Sequence, residues 1–159
     1  MAIAIGTPEN PICSAANVSD ATGIALTCTT KQVTLPVLKS ATLLVETRNV
    51  GITFSATNGT WTVVTAGLYE LIATIGAAAN SVNAHNNLFQ FYKNTTAVGS
   101  VSKRVEPAAA VSTGQAGCAA LLDLAVGDVI TLKADCDNDG DVITVKQCSI
   151  IIKRIGPVA

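Results

Sequence analysis

The chain has 159 residues, enough for one domain with a substantial core and too few for two comfortable ones. Only 13% of its residues are charged, about half the usual share, and the mean hydropathy is +0.46. A net charge of −1 without any basic run excludes the electrostatic footprint of a nucleic-acid binder, and no apolar run approaches the ~20 residues that span a bilayer.

Residues 1–30 carry Gly6, Pro8, Pro11, Gly23 and many small polar residues. They read as an N-terminal arm or a loosely packed edge segment, with short strands possible at Ile3–Ile5 and Gly23–Cys28. The opening MAIAIGTPENP has no Lys or Arg before its short apolar piece and does not read as a secretory signal. From Lys31 to Ala159 strand-like runs recur between turn residues, and this region is predicted as the domain proper. QVTLPVL (32–38) contains Pro36, so it is an edge or ends there. ATLLVETRNVGITFSAT breaks near Asn49 and Gly51. Asn58-Gly59 is the strongest hairpin signal.

GLYELIATI puts Tyr69, Leu71, Ala73 and Ile75 on one face of a strand. Gly76 to Asn87 reads as a small-residue loop, with His85 a solvated loop residue. LFQFYKN sets Phe89 and Phe91 against Leu88, Gln90 and Tyr92; TAVGSVSKRV is a weaker strand, and Glu106 to Gly117 reads as a loop. CAALLDL and LAVGDVITLKA, joined at Gly127-Asp128, suggest an antiparallel pair, with Ile130, Leu132 and Ala134 on one face. VITVKQCSIIIKRI closes the chain. No stretch longer than about ten residues has a helical period. Short strands with regular turns predict an all-β sandwich or barrel.

Ile150-Ile151-Ile152 does not alternate, so both faces of that strand call for burial. One face is met by the core. The other is expected to meet a second subunit or an overlying segment, and the low charge favours a homo-oligomer.

Four segments resemble the C1q/tumour-necrosis-factor-like jelly rolls. TWTVVTAGLYELIATI resembles a G-x-Y strand with Gly67 and Tyr69. LFQFYKNTTAVGS resembles the F-x-x-Y-K-N-G hairpin, with Thr95-Thr96 where Gly is often found. LAVGDVITLKA resembles L-x-x-G-D-x-V-x-L, and CSIIIKRIG resembles the last strand of phage and bacterial members. The match covers about residues 50 to 156 and departs in the thin aromatic content, 4%. The resemblance implies a ten-stranded, two-sheet antiparallel jelly-roll sandwich that forms compact trimers. With it, Tyr69, Leu71, Ile150, Ile151 and Ile152 are the expected trimer interface.

Five cysteines, Cys13, Cys28, Cys118, Cys136 and Cys148, form no CxxC pair and are odd in number. They read as mostly reduced, small, buried residues, with a Cys13–Cys28 bridge as the alternative. Asp135, Asp137 and Asp139 open like a calcium loop, but Lys146 stands where the bidentate Glu belongs. A hairpin turn is the expectation and a weak Ca²⁺ site the alternative; no other cofactor or metal is expected. Asn17, Asn58 and Asn94 fit the glycosylation pattern and read as turn chemistry. Lys103-Arg104 and Lys153-Arg154 read as solvated strand ends. No G-x-S-x-G, P-loop, HExxH or zinc spacing occurs, and a non-enzymatic protein is expected.

With neither collagen stalk nor anchor in the sequence, the leading expectation is a virion structural protein. It would be a homotrimeric decoration (cement) protein on the capsid surface, made in a bacterial cytoplasm and bound to the major capsid protein. No nucleic-acid or membrane partner is expected. The alternative is the receptor- or glycan-binding head of a phage fibre or bacterial appendage, for which Trp61, Tyr92 and the 76–87 loop supply the only platforms.

Overall fold

The computed structural model describes residues 13–27, 38–39, 42, 44–79, 85–106, 114–136 and 142–158. These hold ten strands: β1 (Cys13–Thr27), β2 (Val45–Val50), β3 (Ile52–Ser55), β4 (Thr60–Val63), β5 (Gly67–Ala79), β6 (His85–Lys93), β7 (Thr96–Glu106), β8 (Gly114–Leu124), β9 (Val129–Cys136) and β10 (Val142–Gly156). The strands pair antiparallel in two five-stranded sheets, ordered β2-β1-β10-β5-β8 and β3-β4-β9-β6-β7. Among the described residues there is no helix.

The core lies between the sheets, and period-2 alternation decides what enters it. Tyr69, Leu71, Ala73 and Ile75 of β5 face Phe89 and Phe91 of β6 and Ile130, Leu132 and Ala134 of β9, all buried as their spacing predicts. Trp61 is fully buried and stacks on Phe54, ring centroids 4.9 Å apart. Cys118 and Cys148 enter the core from β8 and β10, and burial pushes both thiols up to about 12. Asn87 is also enclosed, at 1% exposure, with neither end of its carboxamide partnered.

Four expectations need correction. CAALLDL and LAVGDVITLKA are not a hairpin: β8 pairs β5 in one sheet, while β9 pairs β4 and β6 in the other. The 125–128 turn is a corner between the layers, because its backbone is taken by β4. Gly127 N donates to Val63 O, and Val63 N donates to Asp128 O.

The first segment is not an edge from Cys13 onward, because β1 lies inside its sheet with β2 on one side and β10 on the other. Residues 1–12, including the Ile3–Ile5 strand, lie outside the described residues, as do Cys28 and 32–37 of QVTLPVL.

The loops read at 76–87 and 106–117 are shorter than their composition suggests. β5 runs on to Ala79, β6 begins at His85 opposite Glu106, and β8 begins at Gly114 opposite Ala77. Small residues are poor strand formers on a propensity scale, yet here they let the two layers close together: Ala77, Ala116 and Ala120 are buried. Asn58-Gly59 does sit in the β3–β4 hairpin, but within a four-residue loop. Ser55 pairs Thr60, and Gly59 N donates to Ser55 O at 2.7 Å.

One seam between the sheets is closed by a bulge in β7. Phe89 pairs Ser102 and Phe91 pairs Val98, so Gln90 faces a three-residue excursion. Gly99, at φ +72°, carries the chain against β8, where an added Cβ would strike Ala119 O and Ala120. Ser100 Oγ then donates to Ala119 O and accepts from Ala119 N at 3.0 Å.

Candidate functional site

The described surface carries two broad faces of different chemistry, one on each sheet. The outer face of the first sheet is apolar at its centre. Of the predicted interface residues, Tyr69, Leu71, Ile150 and Ile152 are 0% exposed within one chain, so they are core and cannot meet a neighbour. Alternation is the reason: β10 reads buried at Ile150 and Ile152 and exposed between them. Ile151 alone points outward, 40% exposed.

Register shows what Ile151 belongs to. It lies opposite Ile72, and Ile72 lies opposite Ala119. One row away, Lys153, Glu70 and Leu121 are opposite one another, and on the other side Ser149, Thr74 and Gly117. Ile72 and Leu121 are 38% and 64% exposed. Across β10, β5 and β8 the centre of this face is therefore aliphatic, with Lys153 and Glu70 in the next row on one side and small neutral residues in the next row on the other; through β1 the central row runs on in register from Ile151 to Ala15 and Arg48. Sequence reasoning missed Ile72 and Leu121. Their signal was the same broken alternation seen at Ile151: L-I-A in β5 and A-L-L in β8 put an aliphatic on both sides of the strand.

The outer face of the second sheet is lined by hydroxyls. Ser55, Thr60, Thr131 and Tyr92 follow one another across β3, β4, β9 and β6, and Gln90 lies opposite Lys133. The Lys133 ammonium sits 4.3 Å from the Tyr92 ring centroid. Thr131 is 7% exposed and its hydroxyl has no partner. Trp61, read as an aromatic platform, is unavailable because it is core. The expected loop platform is largely strand.

The segments that carry the family resemblance converge at one end. Gly67 leaves room that Arg154 and the Gly156 carbonyl fill. The Arg154 Nε–H donates to Ala66 O at 3.0 Å, and the Tyr69 hydroxyl donates to Thr65 O at 2.6 Å. Burial raises the Tyr69 hydroxyl pKa, with Arg154 opposing. Asn94, at φ +55°, turns the β6–β7 hairpin. Its carboxamide donates to Asp128 Oδ1 and accepts from Val129 N, each at 2.9 Å. Both ends of that amide are occupied, which disfavours its use as a glycan acceptor. Asp128 also accepts from Ala125 N at 2.8 Å and pairs with Lys93 Nζ at 3.0 Å. Burial pushes the Asp128 carboxyl up, but the Ala125, Asn94 and Lys93 contacts outweigh it and the net shift is downward. These contacts make a locked structural corner.

Asp135 is buried at the end of β9, opposite Leu88. Asp137 and Asp139 lie outside the described residues, and among the described residues no three His, Cys, Asp or Glu side chains gather as a metal site would require. His85 opens β6 opposite Glu106. The described cysteines of the core, raised by burial, are poor nucleophiles.

No protein-family model and no curated protein matches the chain in sequence. Solved structures do match in shape. Eiger TNF from S. frugiperda aligns with a TM-score of 0.64 at 11% identity, over 94% of this chain and 95% of that one. The globular domain of zebrafish complement 1qA aligns at 0.60 and 9% identity, over 93% and 99%. The vertex protein P5 of PRD1 aligns at 0.55 and 19% identity, over 91% and 96%. At such identities the likeness shows the fold: this is a TNF/C1q-like jelly roll.

Proposed function

We propose that the chain is a non-enzymatic virion structural protein, a homotrimer that decorates the exterior of a phage capsid by binding its major capsid protein. The observation that carries the assembly half of this reading is the aliphatic centre of the first sheet's outer face, Ile72, Ile151 and Leu121. Together they retain the exposure of about one and a half full aliphatic side chains. Covering them contributes roughly 2–4 kcal/mol per subunit, part of which offsets the entropy of association. The surrounding Ser149, Thr74, Gly117 and Ala119 are small enough to let another subunit's backbone approach.

The likeness to a phage vertex protein supports the virion half of the reading. A trimer also suits a lattice with local three-fold points, where several weak contacts per particle add up to firm attachment. Light scattering of the purified protein tests the first half, with a mass of three chains expected. Cosedimentation with expanded empty phage capsids tests the second. A monomer in the first experiment, or failure to bind any capsid form in the second, overturns the corresponding half.

A further inference from the structure

We propose that the outer face of the second sheet is a saccharide-binding site, built on Tyr92, Gln90 and Lys133 with Thr60 and Thr131 beside them. The site is independent of the assembly role, because the face proposed for self-association lies on the other sheet and leaves this one open.

Thr131 carries the argument. It stands on the solvent side of β9, between Thr60 of β4 and Tyr92 of β6. A residue there is normally wet, yet Thr131 is 7% exposed and its hydroxyl meets no partner. A buried hydroxyl without a hydrogen bond is costly and calls for an explanation. Its described neighbours on this face include Thr60 on one side, the Tyr92 ring opposite in register on the other and, two residues further along β9, the ammonium that rests on that ring. The Lys133–Tyr92 contact is of the weak, exchangeable kind found at half-exposed positions. When the ammonium turns to a ligand, the ring face it rests on is uncovered, directly beside Thr131.

The groups gathered here match a pyranose. The flat C–H face of the sugar stacks on Tyr92. Its hydroxyls, each both donor and acceptor, meet the Gln90 carboxamide, the Lys133 ammonium and the Thr131 and Thr60 hydroxyls. A peptide would ask for an apolar pocket or a free strand edge, and β4, β9 and β6 are paired to neighbours on both sides. A nucleic acid would ask for a basic stripe, which the sequence lacks. A neutral, hydroxyl-rich ligand is what this face fits.

Saturation-transfer NMR on the intact protein tests the assignment, with tetrasaccharides of α-linked glucose, β-linked glucose and β-linked N-acetylglucosamine as probes. Transfer to the ring protons of at least one is expected. Thr131→Val, which trades the unpartnered hydroxyl for a methyl of the same shape, is expected to melt no lower than the parent and to weaken binding at least tenfold. Gln90→Ala and Tyr92→Leu should weaken it likewise, with Tyr92→Leu first shown to be folded by its melting curve. Silence from all three probes, or binding unchanged in Thr131→Val and Gln90→Ala, overturns the proposal. Capsid cosedimentation of Thr131→Val should equal that of the parent, so failure here is distinct from failure of the decoration reading.

Discussion

Asp128→Ala removes the acceptor around which the inter-sheet corner is built. The carboxylate takes hydrogen bonds from Ala125 N and Asn94 Nδ2 and pairs with Lys93 Nζ, at 2.8, 2.9 and 3.0 Å. Bonds to charged groups contribute about 1.5–3 kcal/mol each when well enclosed, and an exposed ion pair about 1 kcal/mol or less. The corner stands near the surface, where water recovers much of each lost bond, so the whole is about 2 kcal/mol.

For a chain of this size each kcal/mol moves Tm by roughly 2–4 °C, giving a fall of about 4–8 °C. Scanning calorimetry at pH 7 reads it, at one fixed protein concentration because the proposed self-association would make Tm concentration-dependent. The carboxyl is depressed below its ordinary value of 3.8 in the folded chain. Its contribution is therefore present above that value and lost as pH falls through the lower, folded pKa. The parent should lose stability from about pH 5 downward, and Asp128→Asn should flatten that slope. Equal melting of Asp128→Ala and parent at pH 7, or an acid slope untouched in Asp128→Asn, refutes the reasoning.

Ile151→Asp and Ile72→Asp should give a folded monomer by light scattering and circular dichroism, since both side chains lie outside the core; Ile150→Asp should fail to fold, because it buries an unpaired charge at a cost of several kcal/mol. Asn87→Leu should raise stability by about 1–3 kcal/mol in urea melts, by removing a buried amide that has no partner. A thiol reagent at pH 8 should leave Cys118 and Cys148 unmodified in the native protein and reach both in urea, as mass spectrometry of the peptides will show. Gly99→Val should destabilise by about 2–4 kcal/mol, through a positive φ and a collision with β8.

Much of this fold was legible because alternation is a local property. Tyr69 to Ile75, Phe89 with Phe91, and Ile130 to Ala134 could be assigned to the core from spacing alone. What alternation cannot tell is which strand lies beside which. A Gly-Asp turn between two strands reads as a hairpin, and only the partners of Val63 and Asn94 show it to be a corner. The same limit put four core residues, Tyr69, Leu71, Ile150 and Ile152, into the expected interface. Ile150-Ile151-Ile152 signalled an aliphatic side chain on each face of the strand, one buried in the core and one 40% exposed, but assigning all three residues to the outer face ignored that neighbours on a strand point opposite ways. Ile72 and Leu121 join Ile151 only through register, which links residues far apart in sequence. The hydroxyl face was invisible for the same reason, and Thr131 is unremarkable until its surroundings are known.

The Gly99–Ser100 excursion has a consequence for crowding. In the proposed decoration role, copies held side by side on a particle would meet at high local concentration, where any bare strand margin invites fibre growth. By lending its own oxygen to both backbone groups of Ala119, Ser100 occupies the anchor points that a foreign strand would use on β8. In the proposed trimer, assembly would thereby be steered away from that margin and toward the aliphatic face, where contact is side chain on side chain and stops once the ring is full.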